Sequence, residues 1–423
     1  MNNDLLKSPG GMRSLLPDMA MELRDIQERI EEVFLLWGYQ PVITPTLEYY
    51  DSLTIGMGKR MDQGLYKLID YEGNILALRP EMTAPIARTI AGRLTDIQLP
   101  ARYSYNAPVF RYDEPQTGRN REIYQMGVEF IGRAGLAADA EALILAIESI
   151  QNTGIKDFKL DIGHAAYLEG IIGQLKLKEE QKREIRGYLT RKDIVGLQNY
   201  LDIPGLESAE VLTRLPLLRG NKEVLKLARE MVDNQHSLKA VSELEEVYHF
   251  IADYGLEGYL NFDPGLIRGF DYYTGIVFEG FTEKLGYTIC GGGRYDNLIA
   301  CYSEHRIPAV GFAIGMERIR LALRRQEHHF ALSVPENLLV FNRRQRIFAL
   351  KLAKKLREKG EITITVENEE FDREIISLAK NKGLKKVFNC TFDEESIEII
   401  KPGINSKTLL KIKKGWEEKI WDS

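Results

Sequence analysis

The sequence FRYDEPQTGRNREIYQMGVEFIG, residues 110 to 132, predicts the hairpin around which the chain is organised. Pro115, Gly118 and Asn120 mark a turn region, and a strand follows from Glu122 to Phe130. Side chains alternate between the two faces of a strand. One face is almost wholly apolar and suits a core: Tyr124, Met126, Val128 and Phe130. The other face suits a bound polar ligand: Ile123, Gln125, Gly127 and Glu129.

Three arginines in or beside the turn region are suited to anchoring an anionic group: Arg111, Arg119 and Arg121. The alternative is an exposed hairpin with solvated charges, which is the commoner meaning of such a pattern when it stands alone. Other segments of the sequence distinguish a ligand-binding hairpin from a solvated one.

Length and composition predict a multidomain globular protein. A chain of 423 residues is too long for one compact core, so two or three domains are expected. The net charge of -5 gives no overall reason to expect nucleic-acid binding. From residue 337 onward, however, 19 Lys and Arg stand against 14 Asp and Glu. A basic terminal domain is compatible with an RNA contact, but charge alone favours a small domain with a solvated surface.

Cysteine usage and targeting signals indicate a reducing compartment. Cys290, Cys301 and Cys390 form no C-x-x-C pair, so neither a disulfide framework nor a structural zinc site is expected. The six histidines have no metal-ligand spacing. No signal-peptide pattern opens the sequence, and no apolar run approaches membrane-spanning length. We therefore expect a soluble cytoplasmic protein.

Hydrophobic periodicity outlines the domains. It predicts helices over residues 18–37, 84–91 and 139–151, and a hairpin over residues 65–78. Strand signals fade between about residues 165 and 258, which indicates a helical insertion. They return over residues 265–293, before a closing helix over residues 315–326. From Leu338 onward, strand, helix, strand and helix alternate, as in a small α/β domain.

Three further segments carry residues suited to a binding site: RPEMT (79–83), LIRGFDYYTG (266–275) continuing to GGGRYD (291–296), and GFAIGMER (311–318). Their glycines allow close backbone approach, and Gly315 opens a helix whose N-terminus can face an anion. Taken singly, each segment is explained by a turn, core packing or surface charge. The glycine run is neither G-x-G-x-x-G nor a Walker loop, which disfavours a dinucleotide fold.

Together these segments resemble those of histidyl-tRNA synthetases, in order and along nearly the whole chain. PVFRYDEPQTGRNREIYQ resembles the second class II signature, AVGFAIGMERI the third, and GLIRGFDYYTGIVFE and GGGRYDNL the histidine-recognition segments. The resemblance implies an α+β fold, with a class II antiparallel sheet flanked by helices over residues 1–328 and the helical insertion at about 165–258. It also implies that residues 329–423 form a small α/β domain similar to the anticodon-binding module.

Four departures from the synthetases resemble a paralogous family, the regulatory subunits of ATP phosphoribosyltransferase. Glu114 stands where synthetases carry an arginine beside the ATP phosphates, so like charges should repel there. Met82 replaces a glycine near the amino-acid pocket. The TDIVEKEMYTF-like and RVLDCK-like runs of synthetases are both missing. The retained C-terminal domain favours the synthetases instead, because many such paralogues have reduced it.

The resemblance implies a histidine-binding site without catalytic residues. The histidine-binding residues would be Glu81, Thr83, Gln125, Glu129, Arg268, Tyr273 and Tyr295. Arg111 and Arg318 would form a vestigial ATP-phosphate site, or pair with nearby carboxylates as inherited structure. Neither a metal nor a cofactor is implied.

The same resemblance implies a short-form ATP phosphoribosyltransferase catalytic subunit as partner, in a hetero-oligomer expected to be a hetero-octamer, with self-association as a dimer. Histidine would be the effector, and neither a membrane nor nucleic acid is expected as a partner. Two alternatives stay open: a histidyl-tRNA synthetase, and a free-standing sensor of uncharged tRNA, which the lack of any effector domain disfavours.

Overall fold

The computed structural model describes residues 6–57, 64–112, 120–175, 177–191, 193–201, 211–268, 272–283, 285–330, 334–391, 396–402 and 406–411. The chain divides into two compact units, Met1–Phe330 and Ala331–Ser423. Phe330, at the end of the first unit, packs against the core of that unit next to the ring of His328. Within the described ranges, no helix is long and apolar enough to cross a membrane.

The helices and strands of the first unit follow one another in this order: α1 (Pro17–Leu36), β1 (Gln40–Pro41), β2 (Leu47–Tyr49), α2 (Tyr50–Met57), β3 (Lys67–Ile69), β4 (Ile75–Leu78), α3 (Thr83–Ala91), β5 (Ala101–Phe110), β6 (Glu122–Ile131), α4 (Leu136–Asn152), β7 (Lys159–His164), α5 (Ala165–Gln174), α6 (Glu179–Thr190), α7 (Ile194–Leu201), α8 (Val211–Arg214), α9 (Glu223–Glu230), α10 (Gln235–Asp253), β8 (Leu260–Phe262), β9 (Ile276–Phe281), β10 (Thr288–Arg294), β11 (Ala309–Gly315) and α11 (Met316–Arg325).

A large sheet forms the centre of this unit. Its described strands lie in the order β1-β5-β6-β11-β10-β9-β7-β8. β1 is parallel to β5 and β8 is parallel to β7, whereas the strands from β5 through β7 are antiparallel to their neighbours. The predicted α+β class is confirmed. This order places β11 between β6 and β10, so that segments far apart in the sequence become neighbours.

The opening hairpin consists of β5 and β6, paired along their whole length. As the alternation predicts, Met126, Val128 and Phe130 are buried in the core that α1 and α4 cover. Each such side chain contributes roughly 1.5–3 kcal/mol by leaving water. The opposite face of β6 therefore points away from this core, and it is the face on which the site lies.

Helix α1 covers the core with the predicted apolar stripe. Leu23, Ile26, Ile30, Val33 and Phe34 are all buried. The next member of the stripe, Trp37, is half-buried and donates its indole N–H to Oε2 of Glu148 on α4 at 2.6 Å. The stripe packs α1 against α4, and both helices cover the face of the sheet opposite the site.

The predicted insertion is helical in its described ranges. It starts at α5, directly after β7, and α10 packs back onto α5 and α4. His164 caps the start of α5, because its Nδ1 accepts a hydrogen bond from the Ala166 N–H at 3.1 Å. The N–H of Ala165 donates to the carbonyl of Gly275 at 2.9 Å, which joins the start of the insertion to the segment before β9.

The second unit has its own sheet and helices: β12 (Asn337–Phe341), α12 (Arg346–Glu358), β13 (Thr363–Glu367), α13 (Arg373–Asn381), β14 (Lys386–Asn389), β15 (Ser396–Lys401) and β16 (Ser406–Lys411). The strand order is β13-β12-β14-β15-β16. Alternate residues of β12 face opposite cores, with Leu339 toward α12 and Leu338 toward α13. Three strands, β14, β15 and β16, follow the predicted alternation of strand, helix, strand and helix.

Candidate functional site

The candidate site lies above a row of small residues on three adjacent strands. The register places Gly127 of β6 opposite Ala313 of β11, and Ala313 opposite Gly291 of β10. Residues paired in this way project from the same face of a sheet, so the row leaves space above the three strands. The Tyr105 side chain lies over Gly127, and the remaining space is a cavity of about 230 Å³ that Ala313 and Gly291 line. Pockets for drug-sized ligands run from roughly 300 to 1,000 Å³, so this one suits a smaller molecule.

Two glycines allow charged side chains to lie directly on the backbone. A β-carbon at Gly291 would overlap the guanidinium of Arg268, and one at Gly311 would overlap the carboxylate of Glu129. Glycine is required at both positions because nothing larger leaves room for these groups. The glycine-rich segments of the sequence therefore shape the site.

The structure brings the predicted site residues together. The cavity is lined by Glu81, Thr83, Gln125, Arg268, Tyr273, Tyr295, Arg111 and Arg318. The remaining predicted residue, Glu129, is fully buried next to the cavity and is hydrogen-bonded to two of the lining residues. Four different parts of the chain supply these side chains, as the four sequence segments indicated.

Glu129 is the centre of a buried hydrogen-bond network. Its Oε1 accepts a hydrogen bond from the Thr83 hydroxyl at 2.8 Å, and its Oε2 accepts one from the Tyr295 hydroxyl. Burial raises the pKa of Glu129 to about 8, and the charge of Glu81 adds to the shift, while the two hydrogen bonds oppose it. Glu129 can therefore exchange a proton near neutral pH when a cationic ligand enters.

Glu81 lies at the start of α3, where helix N–H groups need acceptors. Its carboxylate accepts from the N–H of Thr83 at 2.8 Å and from the N–H of Ala84 at 2.6 Å. These bonds and the positive charge of Arg111 favour the ionised form, yet burial dominates and raises the pKa of Glu81. Two carboxylates with elevated pKa values thus stand beside the same cavity.

Tyrosines form one wall of the cavity. The rings of Tyr272 and Tyr273 lie 4.8 Å apart, and those of Tyr272 and Tyr295 lie 5.8 Å apart. The segment that carries the first two is fixed by Thr274, whose N–H donates to the carbonyl of Arg294 at 2.8 Å. Aromatic faces with polar tips suit a flat, polar ring such as an imidazole.

Arg268 supplies a cation to the cavity. Its Nη1 donates to the carbonyl of Phe278 at 2.8 Å and lies 3.8 Å from Oε1 of Glu279. The guanidinium also lies 5.9 Å from the centre of the Tyr273 ring. Both Glu279 and Arg268 line the cavity. The guanidinium is thus held in a fixed orientation, as a carboxylate receptor requires.

Arg111 and Arg318 lie in the same cavity lining and are anchored to backbone carbonyls. Nε of Arg111 donates to the carbonyl of Pro80 at 2.8 Å, and Arg318 donates to the carbonyl of Thr288. Arg121, which also seemed suited to an anion, instead stacks on Tyr112, with its guanidinium 4.1 Å from the ring centre. Glu114 and Arg119 lie outside the described residues.

The cavity lining also includes residues that were not among the predicted binding residues, among them Tyr105, Tyr272 and Glu279. Tyr272 adjoins the predicted Tyr273, and its sequence signal was present. Tyr105 pairs with Gly127 across the hairpin and Glu279 pairs with Gly291, and both pairings depend on strand register. Among the described residues, no group of three His, Cys, Asp or Glu is placed to hold a metal ion.

Comparison with known proteins identifies the family. The family model for histidyl-tRNA synthetase matches residues 11–319. The ATP phosphoribosyltransferase regulatory subunit of Halothermothrix orenii is 50% identical over 414 residues, which cover 95% of this chain and 99% of the relative. The protein of the same name from Moorella thermoacetica is 42% identical over 382 residues, covering 90% of this chain and 97% of the relative.

A solved structure agrees with the sequence relatives. The crystal structure of an ATP phosphoribosyltransferase regulatory subunit/histidyl-tRNA synthetase from Bacillus halodurans matches with a TM-score of 0.81 and 32% identity. The match covers 91% of this chain and 98% of that chain. Similarity of this extent spans the sheet, the insertion and the second unit alike. The chain therefore belongs to the family of ATP phosphoribosyltransferase regulatory subunits and shares the class II fold of the histidyl-tRNA synthetases.

Proposed function

We propose that this chain is the non-catalytic regulatory subunit of an ATP phosphoribosyltransferase, required for the first step of histidine biosynthesis and conveying feedback regulation by histidine. The observation that carries the proposal is the 50% identity to a regulatory subunit over 95% of the chain. Its partner would be a short-form catalytic subunit in a cytoplasmic hetero-oligomer, expected to be a hetero-octamer in which this chain also self-associates as a dimer.

The effector would bind in the cavity on the central sheet. Histidine presents a carboxylate, an ammonium group and an imidazole, and each has a complementary group in the lining. Arg268 would receive the carboxylate, and Glu81 and Gln125 the ammonium group. Glu129 would accept a hydrogen bond from the imidazole N–H, with Tyr273 and Tyr295 against the ring. Thr83 would hold the two glutamates in place through its bonds to both.

The synthetase reaction would be lost although this pocket persists. Met82 is fully buried in the core cluster beside the cavity, where it occupies space that a glycine would leave open. Arg111 and Arg318 line the cavity and would be vestiges of an ATP-phosphate site. The second unit would be an inherited anticodon-binding module without a role in aminoacylation.

Feedback requires that histidine bind two states of the assembly with different affinities, because a ligand with equal affinity for both shifts neither. The hydrogen bond from the Ala165 N–H to the Gly275 carbonyl supports one route for this coupling. It joins the insertion to the segment that carries the cavity tyrosines. Occupancy of the cavity would thus bias the position of the insertion.

The test combines two assays on the purified full-length chain. ATP phosphoribosyltransferase activity is measured with a short-form catalytic subunit, with and without this chain, across a histidine titration. Histidylation of tRNA is measured in parallel. The proposal predicts activation of the partner, inhibition by histidine and no histidylation. An unchanged partner rate contradicts it, and robust histidyl-tRNA formation favours the synthetase instead.

A pair of variants distinguishes loss of histidine binding in the cavity from loss of assembly with the catalytic subunit. Arg268→Met should remove the response to histidine while the partner is still activated. Arg306 is exposed on the surface, so Arg306→Met removes the same charge away from the cavity and should leave both properties unchanged. Retained histidine inhibition in Arg268→Met would place the effector site elsewhere.

A further inference from the structure

Arg268 has hydrogen-bonding capacity that its surroundings do not use. Nη1 donates to the carbonyl of Phe278, but its separation from Oε1 of Glu279 is 3.8 Å, which is an ion pair without a hydrogen bond. Nε is buried and has no hydrogen-bond partner among the described residues. A buried donor without a partner is costly, and Arg268 lines the cavity, so its guanidinium favours an additional acceptor from a ligand.

Glu279 occupies a position that is unfavourable for a carboxylate. It lies on β9 opposite Gly291 of β10 on one side and Asp161 of β7 on the other. Like charges in directly opposed strand positions destabilise a sheet. Asp161 is fully buried and already has Arg219 as a partner at 2.5 Å. The nearby cation that balances Glu279 is Arg268, and both side chains line the cavity.

We propose that Glu279 competes internally with the ligand carboxylate for Arg268 and thereby sets the affinity and the selectivity of the pocket. The proposal rests on the proposed binding of histidine in this cavity. A ligand carboxylate that binds Arg268 shares this one cation with Glu279, whose Oε1 lies 3.8 Å from Nη1. Glu279 therefore weakens the binding of ligands that carry a carboxylate and does not weaken the binding of those that lack one.

Competition of this kind sets the ligand concentration at which a sensor responds. Without Glu279 the buried guanidinium would lack a counter-charge in the empty pocket and would bind any carboxylate strongly. With Glu279 in place, occupancy begins only at a higher ligand concentration. A ligand must then also satisfy Glu81, Glu129 and the tyrosines to bind. The threshold for an end-product signal is thus set by one residue that need not contact the ligand.

Two other roles for Glu279 are distinct from competition. It would hold Arg268 in position for the ligand, or it would bind the ligand ammonium group directly. Both predict that loss of the Glu279 charge weakens binding. Comparison of L-histidine with L-histidinol, which keeps the ring and the ammonium group but lacks the carboxylate, separates these roles from competition.

The experiment is isothermal titration calorimetry on the full-length chain with both ligands. Glu279→Gln should tighten L-histidine binding, on the order of three- to tenfold. L-Histidinol binding should stay within about twofold of wild type, because no second carboxylate is present. Glu279→Ala should also tighten L-histidine binding. Glu283→Gln is the matched control, since it removes the same charge from an exposed position after β9.

Unchanged or weaker L-histidine binding by Glu279→Gln overturns the inference, as does equal tightening of both ligands. These outcomes leave the histidine site intact. Absence of L-histidine binding by the wild-type chain is a different result, since it contradicts the proposed function itself and removes the basis of the inference.

Discussion

The Thr83 hydroxyl donates a hydrogen bond across 2.8 Å to Oε1 of Glu129, which joins the start of α3 to the C-terminal part of β6. The backbone N–H of the same residue donates to Glu81 at 2.8 Å. One threonine therefore positions both buried carboxylates of the site. Its side chain and its backbone perform separate parts of that task.

Replacing this hydroxyl should weaken ligand binding without unfolding the chain. Thr83→Val keeps the side-chain shape and the N–H bond to Glu81, but it removes one donor to Glu129. This hydrogen bond favours the ionised form of Glu129 that would accept from the ligand, so its loss should lower histidine affinity in calorimetry, on the order of tenfold. Thr89→Val is the control, because the Thr89 hydroxyl donates to a backbone carbonyl of the same helix, that of Pro85. Equal losses in the two variants would contradict a specific role.

The pKa of Glu129 predicts a pH-dependent stability. Burial raises this pKa from 4.5 to about 8, so the folded chain holds the proton more tightly than the unfolded chain. The resulting stabilisation is complete below the unfolded pKa and is lost as pH rises through the folded one. In Glu129→Gln, which has no such proton, that loss should be absent.

Urea denaturation of the ligand-free chain at several pH values checks this. We expect the free energy of unfolding of wild type to fall relative to Glu129→Gln by roughly 1–3 kcal/mol between about pH 5 and about pH 8. The same variant should bind histidine poorly, since the anionic acceptor is gone. Parallel pH profiles for the two proteins would show that Glu129 is not the responsible group.

The close approach of Arg268 to the backbone predicts the effect of one methyl group. Gly291→Ala places a β-carbon where the guanidinium lies. The arginine must then move, and we expect histidine affinity to fall by about tenfold or more, equivalent to at least about 1.4 kcal/mol. No described residue lies within 4 Å of the corresponding position at Gly286, so Gly286→Ala should bind as wild type does. Calorimetry on both variants is the measurement, and normal binding by Gly291→Ala would contradict the role of Arg268.

A buried ion pair behind the site predicts a large loss of stability. Nε of Arg294 donates to Oδ1 of Asp139 at 2.8 Å, and both side chains are buried. Burial raises the pKa of Asp139 to about 7, although Arg294 opposes the shift. Removal of the cation in Arg294→Met should cost about 3–5 kcal/mol of unfolding free energy, because it leaves the carboxylate without its partner.

The loss should be greatest at high pH, where Asp139 must be ionised. The double variant Arg294→Met/Asp139→Asn should recover part of the stability, since no buried charge then remains in the pair. Urea denaturation at about pH 6 and about pH 8 measures both effects. Additive losses in the double variant would show that the two residues do not depend on each other.

The sequence predicted which residues share a strand face better than it predicted which distant segments contact one another in the site. Strand alternation was enough to place Gln125 and Glu129 on the ligand face of β6, because that pattern depends on neighbouring residues alone. It could not show that Tyr105 and Glu279 line the same cavity, since their places depend on the register of strands distant in sequence. Nor could it show that Glu129 bonds both Thr83 and Tyr295, because three separate segments must first meet.

The three residues Gly127, Ala313 and Gly291 contribute no large side chain of their own to one face of the central sheet. Backbone hydrogen bonds hold β6, β11 and β10 together there, with little interlocking between side chains to reinforce them. A bound ligand would complete the missing layer and restrain local opening of these strands. Amide hydrogen exchange in β10 and β11 should therefore slow on ligand binding, so that the sheet itself reports whether the cavity is filled.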